Sequence, residues 1–189
     1  MALTPLAVGI LALVAERPMH PYEMYSLMLE RRQDRLLKLR PGSLYHTVDR
    51  LARDKFIEAT GTERAGARPE RTTYEITSSG EDAMHSWIRQ TLSGPYEEFP
   101  RFPVALTEAH NLPRDEVAEL LSAHLQTIDQ DIELLESGGS LARCRDVPEM
   151  YWLDVDYVLA VRRAQRQWIA DTIERIKTGD LLWHRKPQH

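Results

Sequence analysis

The chain has 189 residues, of which 42% are hydrophobic and 28% charged, and its formal net charge is −5. This composition is typical of a soluble protein with a packed core and excludes an extensively disordered chain. No uncharged apolar run reaches the roughly 18 residues of a membrane helix. The apolar residues 2–15 lack the basic leader and cleavage site of a signal peptide. We therefore expect a cytoplasmic protein with no membrane partner.

The charge is distributed unevenly along the chain. Residues 1–76 carry 12 Lys and Arg against 10 Asp and Glu, a net charge of +2. Residues 77–189 carry 12 against 19, a net charge of −7. Because an acidic surface repels phosphates, any nucleic-acid surface is expected in the first part.

Three helices are predicted in the first fifty residues. The first carries its apolar residues at helical spacing, at Leu3, Leu6, Ala7, Ile10, Leu11 and Val14. The second begins at Pro21, which suits the first position of a helix. The third follows a turn and is predicted to be capped by Ser43, with Leu44, Val48 and Leu51 on its buried face. Short helices separated by a tight turn indicate a helix-turn-helix.

Two strands and a fourth helix follow. Ile57 and Ala59 alternate with polar residues, as do Thr72, Tyr74 and Ile76, and this alternation predicts a β-hairpin. A helix-turn-helix followed by a hairpin is the winged-helix layout. Ser78 and Glu81 have the spacing of a capping box for the fourth helix. Its predicted inward residues are Ala83, Met84, Trp87, Ile88 and Leu92.

The second part of the chain is predicted to be helical throughout. Three prolines and a glycine make residues 93–103 a non-helical linker, and a short helix is expected over 104–109. One long helix is predicted from Pro113 to the glycine pair Gly138-Gly139, and another from Pro148 toward Lys177. Such an αα-hairpin is too small to cover its own apolar face, so it must pack on a second subunit or on the first domain.

The predicted fold is therefore mainly α with a small β-hairpin. We assign residues 1–92 to a winged helix-turn-helix domain and 93–112 to a linker with a short helix. Residues 113–180 are assigned to a helical dimerisation domain, and 181–189 to a tail.

The third helix is the candidate reader of double-stranded DNA. A helix fits the major groove and reaches base edges with its N-terminal side chains. Arginines on the hairpin loop suit phosphates or the minor groove. The alternatives are a solvated helix face and a loop that is charged for solubility. The DNA-binding candidates are Tyr22, Arg40, Ser43, Tyr45, His46, Arg50, Arg64, Arg68 and Arg71.

Several segments together resemble the PadR-type transcriptional regulators. They are the first-helix core running into residues 19–24, residues 42–51 of the third helix, residues 56–58, and the hairpin segment 66–77. The matches lie in order from about Leu3 to Met84, so their joint specificity is high. His46 stands where the family usually has proline, and Pro21 where it usually has glycine.

The resemblance implies a homodimeric repressor that binds a palindromic operator and, in some members, is released by a small molecule. It also implies that the C-terminal helices hold the dimer. The dimerisation candidates are Leu121, Leu125, Ile128, Ile132, Trp152, Val155, Val158, Leu159, Trp168 and Ile169. An effector pocket for a small apolar or aromatic molecule is a hypothesis on Trp87, Trp152, Tyr157 and Trp168; ordinary core packing is the alternative.

Other chemistry finds little support in the sequence. It contains none of the motifs of metalloproteases, serine hydrolases or nucleotide-binding enzymes, so we expect no enzyme activity, no cofactor and no metal. The lone Cys144 cannot form an internal disulfide and is expected to be inert. The rival function is a winged-helix module that binds protein instead of DNA, although the arginine set favours phosphates.

Overall fold

The computed structural model describes residues 3–63, 71–94 and 100–183. The chain divides into two compact units, Met1–Glu97 and Glu98–His189, and each has its own hydrophobic core. The N-terminal unit contains α1 (Pro5–Glu16), α2 (Pro21–Glu30), α3 (Pro41–Arg53), β1 (Ile57–Glu63), β2 (Arg71–Ile76) and α4 (Ser78–Ser93). The C-terminal unit contains α5 (Arg101–Glu108), α6 (Arg114–Cys144) and α7 (Leu153–Thr178). The predicted fold class is confirmed.

The apolar helix α1 is the centre of the N-terminal core. It is apolar around most of its circumference and packs against α3, α4 and β2. Leu44, Val48 and Leu51 of α3 are buried in the same core, as predicted. The methionines Met24 and Met28 bring α2 into it. This packing fixes which face of α3 is left outside.

Two predicted helix caps are wrong. Helix α3 begins at Pro41 instead of after Ser43, because proline already has a helical φ and needs no N–H at the first position. Ser43 therefore lies within the first turn, where its carbonyl accepts a hydrogen bond from the Thr47 hydroxyl at 2.7 Å. Helix α4 is capped by Thr77, one residue before the predicted Ser78, and Thr77 Oγ1 accepts from the Gly80 N–H at 3.1 Å.

The hairpin is held to the helices on both of its sides. The segment between α1 and α2 pairs with β2, since Met19 and Tyr74 exchange two backbone hydrogen bonds of 3.0 Å. At the other side, a Cβ on Gly80 would lie 2.1 Å from the Phe56 carbonyl oxygen, so only glycine allows α4 to begin there. A β-bulge interrupts the register between Ala59 and Gly61. Ala59 itself is exposed, although it alternates with buried Ile57 as an inward residue would.

Two apolar residues of α4 also differ from the prediction. Ile88 is 37% exposed and Leu92 is 83% exposed, whereas Met84 is buried and Trp87 packs against the core. The buried part of α4 thus ends at Trp87, and the last turn and a half extends beyond the described core of the N-terminal unit.

The C-terminal unit is built around the antiparallel pair α6 and α7. Its core contains Val117, Ala118, Leu121, Ile128, Ile169, Ile173 and Ile176. Three ion pairs cross between the helices, Asp129–Arg166, Asp131–Arg162 and Glu136–Arg163. After Gly179, which ends α7 in the left-handed conformation, the chain returns so that the Trp183 indole N–H donates to the Leu112 carbonyl at 3.0 Å.

The predicted end of the long helix at the glycine pair is wrong. Helix α6 continues through Gly138 and Gly139 to Cys144, and α7 begins at Leu153. Gly139 is buried beside Val155 of α7, so packing between the helices outweighs the low helix propensity of glycine. The predicted linker is also shorter than expected. Helix α5 begins at Arg101, because Pro103 in its first turn has no hydrogen bond to lose.

Candidate nucleic-acid interface

Helix α3 presents a polar face to solvent. With Leu44, Val48 and Leu51 buried, the helical repeat leaves Ser43, Tyr45, His46 and Asp49 exposed, Tyr45 by 42%. Thr47 is buried as well. The exposed side chains supply a hydroxyl, a phenol, an imidazole and a carboxylate within two turns. Such groups can donate to and accept from base edges.

Arg50 lies partly against the beginning of α1. Its Nη2 donates to Thr4 Oγ1 at 3.4 Å, and the same oxygen caps α1 by accepting from the Ala7 N–H at 3.3 Å. The Nε atom of Arg50 is buried and has no hydrogen-bond partner among the described residues. An unsatisfied buried donor costs about 1–3 kcal/mol, so an acceptor brought to this position would be favoured.

Cations without carboxylate partners surround α3. Arg35, Lys38 and Arg40 precede it, and Arg53 lies in its last turn. All four are exposed, and none makes an ion pair within the described ranges. The sequence analysis named only Arg40. Arg35, Lys38 and Arg53 could have been predicted from their positions in the sequence. Arg35 and Lys38 come shortly before the first residue of α3, and Arg53 follows Arg50 by one helical turn.

Other arginines of the same unit are engaged internally. Arg31 Nη2 donates to Glu16 Oε2 at 2.8 Å, and Arg17 pairs with Glu23. These hydrogen bonds, and secondarily the positive charges, hold the pKa of both carboxyls below its usual value. Arg17 and Arg31 are therefore occupied in ion pairs, and the uncompensated positive charge of the described N-terminal unit is concentrated around α3.

The base of the hairpin lies beside α3. Burial raises the pKa of the Tyr74 phenol, and the negative charge of Asp49 on α3 adds to the effect. The predicted wing residues Arg64 and Arg68 lie outside the described residues, and Arg71 is described only by its backbone, as the first residue of β2. Tyr22 is 63% exposed in the first turn of α2, where its N–H donates to His20 Nδ1 at 3.1 Å.

The predicted dimerisation residues occupy different environments. Leu121, Ile128 and Ile169 are buried in the core of the C-terminal unit itself, so they have no surface left for a second copy. Leu125 and Ile132 pack against that core, and Trp152, Val155, Val158 and Leu159 are half-buried. Trp168 is 48% exposed. Many of the apolar residues of α6 and α7 therefore pack against the other helix of the same chain.

A second apolar stripe was missed. Leu120, Leu134 and Leu141 of α6 are each more than half exposed, and they are separated by fourteen and seven residues, which are two heptads and one. On α7, Tyr157, Val161 and Trp168 are exposed at intervals of four and seven residues. The heptad spacing was the signal that could have found this stripe.

The four residues of the predicted effector pocket include two that lie far apart on α7. Trp87 belongs to the core of the N-terminal unit. Trp152 and Trp168 are separated by sixteen positions along α7, a rise of about 24 Å. Trp168 packs edge-on against Phe102 at 6.4 Å, and the ring of His124 lies 4.8 Å from the same phenylalanine. Trp152 lines a surface groove between the end of α6 and the beginning of α7.

The described residues form neither a membrane-spanning helix nor a cluster of metal ligands. In residues 3–63, 71–94 and 100–183, no helix has both the length and the apolar character required to cross a bilayer. In the same part of the chain, His, Cys, Asp and Glu side chains form no group of three or more that could hold a metal ion.

Comparison with known proteins gives a family match for part of the chain and solved structures with the same fold. Residues 10–86 match the transcriptional regulator PadR-like family. Among solved structures, Bacillus subtilis PadR in complex with operator DNA is similar with a TM-score of 0.76 and 18% identity, over 92% of this chain and 99% of that chain. The same protein in complex with p-coumaric acid gives a TM-score of 0.72 and 18% identity, over 91% and 98%.

The Vibrio cholerae virulence activator AphA is also similar, with a TM-score of 0.72 and 14% identity over 92% of this chain and 99% of that chain. No curated protein sequence gives a significant match. At these identities the structural likeness shows a shared fold. The N-terminal part of this chain, residues 10–86, is thus similar in sequence to the transcriptional regulator PadR-like family, and the chain shares the fold of the solved PadR structures.

Proposed function

We propose that this regulator binds duplex DNA as a homodimer, with α3 of each copy in the major groove. The observation that carries the proposal is the distribution of cations in the N-terminal unit. Arg35, Lys38, Arg40 and Arg53 are exposed and without carboxylate partners within the described ranges, whereas Arg17 and Arg31 are paired. Phosphates attract cations of the first kind, because no internal ion pair has to be broken.

The exposed face of α3 supplies the base contacts in this proposal. Ser43 and Tyr45 can donate to or accept from base edges, and His46 can do either through its two ring nitrogens. The flanking cations hold the helix on the backbone, which sets its register without reading sequence. The wing arginines Arg64, Arg68 and Arg71 remain part of the proposal as phosphate or minor-groove contacts.

Arg50 has a more specific role. Among the described residues, the guanidinium makes one hydrogen bond, of 3.4 Å to Thr4 Oγ1, and its Nε has no partner. A base edge or phosphate oxygen at α3 would replace the weak bond and satisfy the buried donor. We therefore expect Arg50 to leave Thr4 when DNA binds.

The second copy is proposed to pack on the exposed stripe of the C-terminal unit. Leu120, Leu134 and Leu141 of α6, with Tyr157, Val161 and Trp168 of α7, are large apolar residues that water would otherwise cover. Burying them removes apolar area from water. The dimer then holds two α3 helices about one DNA turn apart, roughly 34–36 Å, which matches a palindromic operator.

Repression and release by a small molecule are the regulatory part of the proposal. A dimer seated on a promoter excludes other proteins from it without needing a further contact surface. A ligand that favours a different separation of the two α3 helices would weaken operator binding. The p-coumaric acid complex of Bacillus subtilis PadR supports an effector, whereas AphA carries the name of an activator.

Selection of bound duplexes from a random pool tests DNA binding and dimer geometry together. We expect a consensus with two-fold symmetry. A titration of the selected duplex at several salt concentrations should show affinity falling steeply with salt, by a slope of roughly −0.9 per phosphate contact. Failure to enrich any sequence, with no salt-dependent binding to bulk duplex, would contradict the proposal and favour the protein-binding module instead. A reporter gene behind the selected site distinguishes repression from activation.

A further inference from the structure

Helix α3 directs one row of residues straight away from the core. Gly42, His46 and Asp49 follow one another at intervals of four and three positions, and all three are exposed. At roughly 100° per residue they fall within about 60° of one another, on the side opposite to the fully buried Leu51. In the proposed complex this outward row is the part of α3 that lies deepest in the major groove and faces the base edges.

The carboxylate of Asp49 is not neutralised by any residue that the structure describes. Arg53 follows Asp49 by four positions, which is the spacing at which an acid and an arginine pair on a helix, yet no ion pair joins them. The adjacent Arg50 donates to Thr4 instead. The charge of Asp49 raises the pKa of the Tyr74 phenol through space, without a hydrogen bond between the two groups. The carboxylate oxygens are therefore available to a donor from outside the chain.

A free acid is an unusual residue for the centre of a phosphate-binding surface. The cations around α3 attract phosphates, and the same phosphates repel the carboxylate of Asp49. This repulsion is offset where the carboxylate accepts a hydrogen bond from the DNA, and such charge-assisted bonds are strong. In the major groove the donors on the base edges are the amino groups of cytosine and adenine.

Of these two bases, cytosine is the better match for a carboxylate. Adenine presents its N6 amino group beside the N7 acceptor, so a carboxylate that accepts from N6 is repelled by the lone pair of N7. The side-chain amide of Asn or Gln suits adenine, because its oxygen accepts while its nitrogen donates. Cytosine presents the N4 amino donor without a neighbouring acceptor on the same base. An aspartate in the outward row is therefore suited to cytosine.

We propose that Asp49 selects a cytosine in each half of the operator by accepting a hydrogen bond from the cytosine N4 amino group. Asp49 is then a specificity-determining residue in addition to Ser43, Tyr45 and His46. The inference rests on the proposed function, because it requires α3 to lie in the major groove. It concerns sequence preference more than total affinity, since the cations around α3 bind the phosphates of any sequence.

Selection of duplexes from a random pool, carried out with the full chain and with two variants of Asp49, tests the inference. Asp49→Ala should lose the preference for cytosine at one symmetric position of each half-site, by about tenfold in competition titrations. Asp49→Asn keeps the shape of the side chain but replaces one acceptor by a donor, so adenine should replace cytosine at that position. A consensus that is the same for Asp49→Ala as for the parent chain overturns the inference.

Asp54→Asn is the matched control for the loss of charge. Asp54 is exposed directly after the last residue of α3, and it makes no ion pair with the described residues. Removing its charge should strengthen binding to all duplexes to a similar extent and leave the consensus unchanged. If Asp49→Asn behaves in the same way, Asp49 is a solvated residue and the inference is wrong.

The selection with the parent chain separates this inference from the proposed function. A two-fold symmetric consensus that is shared by the parent chain and both Asp49 variants supports the proposed function and refutes the inference alone. A parent chain that enriches no sequence and shows no salt-dependent binding refutes both.

Discussion

The arginines of α7 and those at the two ends of α3 have opposite surroundings. In the C-terminal unit, Arg162, Arg163 and Arg166 of α7 each face a carboxylate of α6, and they join the two helices. In the N-terminal unit, Arg40 and Arg53 stand at the two ends of α3 with no carboxylate partner among the described residues. Composition alone does not separate these roles. The distance to the nearest carboxylate does, because a paired guanidinium has already exchanged its water for an anion.

The comparison also concerns apolar surface. The N-terminal core closes over α1, whereas α6 and α7 retain an exposed stripe after their shared core is filled. One unit therefore presents charge and the other presents apolar side chains. The charged surface is suited to nucleic acid, and the apolar surface is suited to a second copy of the chain.

The largest expected effect follows from breaking the dimer. Leu134→Asp places a charge in the exposed stripe without disturbing the hairpin core, since Leu134 is 53% exposed. Light scattering should give the mass of a monomer, and circular dichroism should show unchanged helicity. Operator affinity should fall by about 10²–10⁴, because two linked half-sites become one. Ser140→Asp, at an exposed position of the same helix that is turned about 120° away from Leu134, is the matched control. A dimer that persists in Leu134→Asp would remove this stripe from the interface.

The next effect sharpens the contrast between free and paired arginines. Arg40→Gln combined with Arg53→Gln should reduce the slope of log affinity against log salt by about 4, since two phosphate contacts are lost in each copy of the dimer. The loss should be similar for every duplex sequence. Arg163→Gln combined with Arg166→Gln is the matched control and should leave the slope unchanged, while it slightly destabilises the C-terminal unit. Equal slopes for both double variants would refute the distinction.

Arg50 tests whether a partly engaged arginine reads sequence. Arg50→Ala should cost about 1–3 kcal/mol on the selected operator and less on unrelated duplexes, if the guanidinium leaves Thr4 for a base. Competition titrations against both duplexes measure the difference. Thr4→Val removes this acceptor and also the N-cap of α1; provided that circular dichroism shows an intact fold, it should bind the operator at least as well as the parent chain. A uniform loss in Arg50→Ala would restrict Arg50 to the backbone.

The smallest effect concerns the paired arginines of the N-terminal unit. Hydrogen bonds from Arg31 and Arg17 lower the pKa of Glu16 and Glu23. A lowered folded pKa stabilises the fold above the unfolded pKa of about 4.3, and this contribution is lost as pH falls through the folded pKa. Both pairs are more than a third exposed, so the total should stay near or below about 1 kcal/mol. Urea unfolding of the parent chain and of Glu16→Gln/Glu23→Gln should differ at pH 6 and converge at pH 3. A difference that persists at pH 3 would have another origin.

Local signals predicted much of the N-terminal unit. The apolar repeat of α1, the proline that begins α2 and the buried Leu44, Val48 and Leu51 all depend on residues within a few turns of one another. The alternation in β2 is equally local. Errors arose at Ala59 and Leu92, which are both exposed, because a local repeat does not show how far the core extends along a strand or a helix.

The sequence by itself determined the helical and strand character of the segments, the winged layout and the family resemblance, since these follow from spacing and short motifs. Only the tertiary structure decided that α6 runs through Gly138-Gly139, that Leu121, Ile128 and Ile169 serve the unit's own core, and that Arg17 and Arg31 are paired. Periodicity shows that a face is apolar or charged, but it does not show which other surface that face contacts. The contact depends on which surfaces the folded chain brings close together.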